Sequence, residues 1–189
     1  MAIKRLTIDG YGQIELNNVA FRRDGRIEAQ YAPDTTDFAT AKVENGMLLA
    51  VDGVNRKIKF ATDGSLPIAL NYSTEHMYDE RTPGLKNFYL NGNGKEDFLP
   101  RLGYLSVGDK FTTNCICYDS AVDTSWTSES AFVSALASYK TTALYGGISS
   151  TGAILVSATA PTVGPKLRVI EKTTMPDATL GVKFQVLAD

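Results

Sequence analysis

Apolar and polar residues alternate over short stretches along most of the chain. In Arg56-Lys57-Ile58-Lys59-Phe60 the lysines fall at 57 and 59 and the apolar residues at 58 and 60. An extended backbone there has one wet face and one dry face. Gln13-Ile14-Glu15-Leu16 has the same period, and so does Gly181-Val182-Lys183-Phe184-Gln185-Val186. Turn dipeptides separate these stretches. Asp-Gly or Asn-Gly occurs at 9–10, 24–25, 45–46, 52–53, 63–64, 91–92 and 93–94. Such pairs tolerate the positive φ that tight hairpin turns require. Strand-like runs at 13–21 and 26–32 flank Asp24-Gly25. Runs at 41–44 and 47–51 flank Asn45-Gly46, and 54–61 lies between Asp52-Gly53 and Asp63-Gly64. Turns at this short spacing predict an antiparallel meander, barrel or sandwich.

The middle of the chain is less regular. Residues 71–84 are polar and turn-rich and read as a long loop, and 85–90 alternates in part. The Asn-Gly-Asn-Gly run at 91–94 reads as a turn, because no Lys-Ser/Thr follows to make it a phosphate loop. Residues 102–107 and 110–118 flank Gly108-Asp109 and are expected to form a hairpin. One helix is expected from about 128 to 139. Phe132, Leu136 and Tyr139 form its apolar stripe, Thr127 or Ser128 its cap, and Glu129 suits its positive end. Gly146-Gly147 and Gly152 then break the chain. Strands are expected at 153–158, 166–171 and 181–187, with Pro161 and Pro165 keeping the segment between the first two out of any central strand. The expected fold class is mainly β: an antiparallel, hairpin-rich barrel or sandwich with one short helix. Residues 1–189 read as a single β-rich domain. Any subdivision falls near 119, between a hairpin-rich part (1–118) and a low-charge part (119–189).

Composition narrows the function classes. A chain of 189 residues buries roughly 70% of its extended-state surface, so it needs neither disulfides nor a metal to hold together. With 43% hydrophobic and 21% charged residues it is not a disordered chain, a collagen repeat or a coiled coil. Nineteen basic against 21 acidic side chains leave a net charge of −2, without the basic surplus of a nucleic-acid binder. No apolar run of signal-peptide length follows Lys4-Arg5, and no window is long and apolar enough to span a bilayer. Synthesis in a cytoplasm, with no nucleic-acid or membrane partner, is expected.

Candidate chemistry is sparse. Cys115 and Cys117 are the two cysteines. Two apart on one strand, they share a face at about 6.6 Å and run parallel, a poor geometry for a mutual disulfide. They read as buried free thiols. His76 is the single histidine and sits in the polar loop with Glu75, Asp79 and Glu80. Those carboxylates suit a hard cation, but they lack EF-hand spacing and Arg81 stands next to them. No G-x-S-x-G, H-E-x-x-H, Walker or G-x-G-x-x-G motif occurs. The expectation is no enzyme, with no catalytic residue, metal, cofactor or small-molecule substrate. A pair of distant carboxylates for glycoside hydrolysis, or aromatics of a carbohydrate-binding β module, is the rival reading.

Residues 119–164 form a distinct stretch. Their charged side chains are Asp119, Asp123, Glu129 and Lys140, and Ser, Thr and Ala supply more than half of the rest of the stretch's composition. An ordinary exposed surface carries more charge. Small polar residues let backbones approach closely while hydroxyls pair, which points to a subunit or partner interface. Trp126, Tyr139 and Tyr145 are the candidate aromatic anchors in it.

Three stretches carry a family resemblance: Ile8-Asp-Gly-Tyr-Gly-Gln-Ile-Glu-Leu16, Leu105-Ser-Val-Gly-Asp-Lys-Phe-Thr-Thr-Asn114 and Gly181-Val-Lys-Phe-Gln-Val-Leu187. In style they resemble the capsid decoration (cement) and head-auxiliary proteins of tailed bacteriophages. The resemblance implies a structural virion protein that contacts the major capsid protein or other virion proteins and assembles as a homo-oligomer. It implies no functional residue, since no catalytic motif defines that class. A tail or baseplate component is the alternative within structural proteins.

Overall fold

The computed structural model describes residues 3–8, 12–73, 99–176 and 178–188. Two sheets carry the fold. The larger comprises β1 (Ile3–Arg5), β2 (Ile14–Asn18), β9 (Lys110–Thr113), β10 (Ile116–Asp119), β11 (Tyr145–Gly147), β12 (Ile154–Ser157), β13 (Lys166–Thr174) and β14 (Leu180–Ala188). Its spatial order is β1-β10-β12-β11-β13-β14-β9-β2. The smaller comprises β3 (Ile27–Glu28), β4 (Ala32–Pro33), β5 (Leu48–Asp52), β6 (Lys57–Phe60), β7 (Ile68–Asn71) and β8 (Leu102–Gly103), in the order β3-β8-β7-β5-β6-β4. Helices α1 (Ala20–Asp24) and α2 (Glu129–Leu136) complete the described elements. The protein is mainly β and sandwich-like, and neither sheet closes into a barrel.

The large sheet is nonetheless rolled. β9 and β10 are separated in the chain only by Asn114 and Cys115, yet four other strands stand between them in the sheet. Two residues reach only about 7–10 Å. The sheet must therefore curl until its ends approach, which also follows the natural twist of strands. The hollow side is filled by one apolar cluster that includes Ile14, Phe111, Ile116, Ile154, Leu167 and Phe184 from the sheet. Phe132 and Leu136 of α2 join it, as do Leu48 and Leu70 of the small sheet. This cluster draws side chains from both sides of residue 119. A second cluster lies on the other face of β5 and β7. It joins Leu49, Val51, Ile58 and Ala69 to Phe38, Met47, Cys115 and Cys117. β5 is thus buried along its whole length.

Several turn dipeptides serve other purposes than hairpins. Asp52-Gly53 does open the β5–β6 hairpin, where the Asp52 carboxylate accepts the N–H groups of Val54 and Asn55 and pairs with Lys59 at 2.8 Å. The run 13–21, expected as one strand, ends at Asn18 and turns into α1, with Gly25 at φ 69° closing the helix in the left-handed conformation. Asp63-Gly64 lies on a crossover, because β6 and β7 flank β5 on opposite sides. Gly108-Asp109 connects strands of different sheets rather than a hairpin: β8 pairs in the small one and β9 in the large one. The run 110–118 is broken at Asn114, whose side chain accepts the Gln13 N–H and donates to Thr179. Gly146 and Gly147 lie within β11, where a Cβ on Gly146 would stand 2.8 Å from Ile154 and Phe184. The pairs β10–β12 and β4–β6 run parallel. The expected loop at 71–84, including His76, Glu75, Asp79 and Glu80, lies almost wholly outside the described residues, as do the run 85–90 and the turns at 91–94.

Candidate interaction surface

The surface of 119–164 is built around α2. Ser128 adopts an extended backbone and accepts the Ala131 N–H at 3.2 Å, capping the helix. Phe132 and Leu136 are four residues apart, so both point inward and are fully buried. Phe132 stacks on Tyr118 with ring centroids 4.6 Å apart and meets Trp126 at 5.4 Å. That orientation leaves Ser130, Ser134 and Ala137 facing outward.

The few charges of this stretch are used internally. Glu129 accepts both the N–H and the hydroxyl of Thr7, at 3.1 and 2.7 Å. Asp123 accepts the Ala158 N–H, and Asp119 that of Ala121. Lys140 alone is both charged and exposed. The other exposed residues of the stretch are largely hydroxyl and methyl bearers such as Thr124, Ser125, Thr141 and Thr142, with Val122 55% exposed. The stretch is therefore a low-charge surface as well as a contributor to the core.

The three candidate anchors do not converge. Trp126 is 5% exposed and belongs to the apolar cluster, so its indole is spent on this chain's own interior. It packs there against Phe132. Tyr139 packs half-buried against the cluster beyond the end of α2, with the Lys140 ammonium 5.7 Å from its ring. Tyr145 stands in β11 on the convex side of the large sheet, where the Arg168 guanidinium lies 5.3 Å from its ring.

The low-charge stretch runs into a groove of about 770 Å³. One wall is Leu66, Pro67 and Ile68; the other is Ala160, Pro161 and Pro165, with Leu105 and Ala188 at the end. Lys166 is the one charged side chain among the lining residues. Among the described residues no carboxylate, histidine or aromatic ring lines it, so those residues bring together no acid and base there. The prolines were visible in the sequence as strand breakers. Their meeting with Leu66 and Pro67, a hundred residues away, was not, because nothing local encodes that approach.

Two further polar groupings are internal. Arg5 of β1 donates two hydrogen bonds to Glu44, at 2.7 and 2.6 Å, and Glu44 also accepts the Gly12 N–H. Burial works against the Arg5 charge, but the bonds to Glu44 outweigh it, and its pKa is raised. Cys115 and Cys117 are free and buried. Burial pushes the Cys115 thiol up to about 12 and the Cys117 thiol up to about 11, which disfavours the reactive thiolate. Among the described residues no group of His, Cys, Asp or Glu could hold a metal ion. Comparison of the chain with protein-family models, curated proteins and solved structures gave no match.

Proposed function

We propose that this chain is a structural assembly protein, without a reaction of its own, that works by packing against neighbouring protein subunits. Its most specific form is that of a virion protein of the decoration or head-auxiliary kind, made in the host cytoplasm and set against a capsid lattice as a homo-oligomer. One observation carries the reading: apart from Lys140, the exposed side chains of 119–164 are hydroxyl and methyl bearers, and its three acids are turned into the fold's own hydrogen bonds. Burying such a surface desolvates few charges, so association there costs little electrostatically. A standard contact of about 1,600 Å², repeated around a closed assembly, holds a subunit without any single strong site. The groove beside it extends the surface that a neighbour would cover.

Light scattering on the eluting peak of a size-exclusion column tests the reading. The expected result is a discrete oligomer that persists on dilution, or a chain that becomes particle-bound when mixed with its host phage heads. A monomer at all concentrations that binds neither heads nor tails, and that is retained on a glycan array, replaces this reading with the carbohydrate-binding one.

A further inference from the structure

The convex face of the large sheet carries a transverse row of side chains. Leu167, Val169, Phe184, Val186 and Phe111 point into the apolar cluster, so their neighbours Lys166, Arg168, Gln185 and Lys110 point out. The register aligns them: Tyr145 opposes Arg168, Arg168 opposes Gln185, Gln185 opposes Lys110, and Lys110 opposes Asn18. Arg168 and Lys110 are therefore two strands apart, about 10 Å. Lys166 stands two residues along β13 from Arg168 on the same face, about 6.6 Å away. Within a chain of net charge −2, these three cations have no carboxylate partner among the described residues, whereas the nearby Lys183 pairs with Glu171 at 3.6 Å. Arg168 is held against the Tyr145 ring, which fixes the guanidinium plane and leaves its N–H fork free.

We propose that this row docks an acidic segment of a partner protein, with carboxylates spaced to meet Arg168, Lys166 and Lys110 and with Gln185 bonding the backbone or amide between them. The charge pattern selects a peptide over a nucleic acid. A continuous phosphate chain would run against Glu15 and Glu171, which share the adjoining row with Thr112 and Lys183. The Tyr145 ring, already covered by Arg168, is not free to stack on a base. Discrete carboxylates avoid the acidic row and match the fork of Arg168 in two parallel hydrogen bonds. The proposal deepens the assembly reading by naming the chemistry of one partner, and it rests on that reading only for the partner being a protein.

Fluorescence anisotropy with a labelled glutamate-rich peptide, and in parallel with labelled oligo-dT of equal charge, tests it on the full chain. The peptide is expected to bind at low salt and to weaken at about 0.15 M salt. Lys110→Glu with Arg168→Glu should weaken it about tenfold or more. Ser130→Glu with Ser134→Glu, on the other surface, should leave it unchanged. Should the charge reversal fail to fold, Lys110→Gln with Arg168→Gln is expected to weaken binding in the same direction. Absence of peptide binding at low salt, tighter binding of oligo-dT, or folded variants that bind like the parent each overturn the proposal. Peptide binding lost from an intact oligomer removes only this surface; a monomer that still binds the peptide through the row upholds it and removes only the subunit-packing reading.

Discussion

Phe132 shows how one side chain sets the local chemistry. It is fully buried, it stacks on Tyr118, and its ring meets that of the buried Trp126. Phe132→Ala should lower unfolding stability by about 3–5 kcal/mol. Urea titration followed by emission of Trp126, the single tryptophan, reads the loss directly. The cysteines give a second prediction at this scale. An unfolded cysteine ionises near 9, whereas the folded Cys115 is pushed up to about 12. Each folded thiol thus holds its proton where the unfolded chain would release it. Their contribution to stability is complete below about pH 9 and is lost as pH rises toward the folded values. Stability should fall steeply from pH 9 to 11, and Cys115→Ala with Cys117→Ala should flatten that slope. At pH 8 a thiol reagent should label neither cysteine until urea is added.

Among the described elements, β1 is held by side-chain contacts, of Lys4 with the Thr127 carbonyl and of Arg5 with Glu44. It is a strand of three residues that, among the described strands, pairs only with β10. Propensity cannot hold so short a strand. Arg5 holds it by gripping Glu44, which is 7% exposed at its side chain, while Glu44 also secures the Gly12 N–H. Arg5→Ala leaves a buried carboxylate without its cation, at a cost on the order of 3 kcal/mol. Hydrogen exchange should show the Leu6 and Cys117 region opening before the β13–β14 pair. Equal protection in parent and variant would mean that the Arg5–Glu44 pair does not hold the strand. In α2 a cap at Thr127 or Ser128 and a stripe of Phe132, Leu136 and Tyr139 were readable from the sequence; Ser128 is the cap and Phe132 and Leu136 lie in the helix, but it ends at Leu136, short of Tyr139. α1 was not: Val19 offers no side-chain cap and the helix is five residues long, too short for periodicity to register.

At the level of the whole molecule, curling of the large sheet separates two surfaces. The low-charge surface around α2 lies at one side of the cluster, and the cationic row lies on the convex face of β13, β14 and β9. Assembly through the first predicts a clean phenotype. Ser130→Glu with Ser134→Glu adds charge to an exposed helix face that tolerates it, so thermal stability should move little. The oligomer mass should fall to that of a single chain. Retention of the full oligomer by the folded variant would place the subunit contact elsewhere.

Alternating residues fixed which side chains of 57–60 and 181–186 face water, because the strand period of two is a local property of the backbone, whereas the register shift between Val169 and Glu171 interrupts that period in β13. Charge content likewise marked 119–164 before any fold was known. Tertiary structure decided what each turn connects. Gly25 closes a helix, Gly64 sits on a crossover, and the break at Asn114 sends two consecutive strands to opposite ends of one sheet. It also decided that Trp126 is interior, that Pro161 and Pro67 line one groove, and that Lys110 lies in line with Arg168. These depend on pairings between segments far apart in the chain, whose closure is driven by burial of the shared cluster rather than by any signal within either segment.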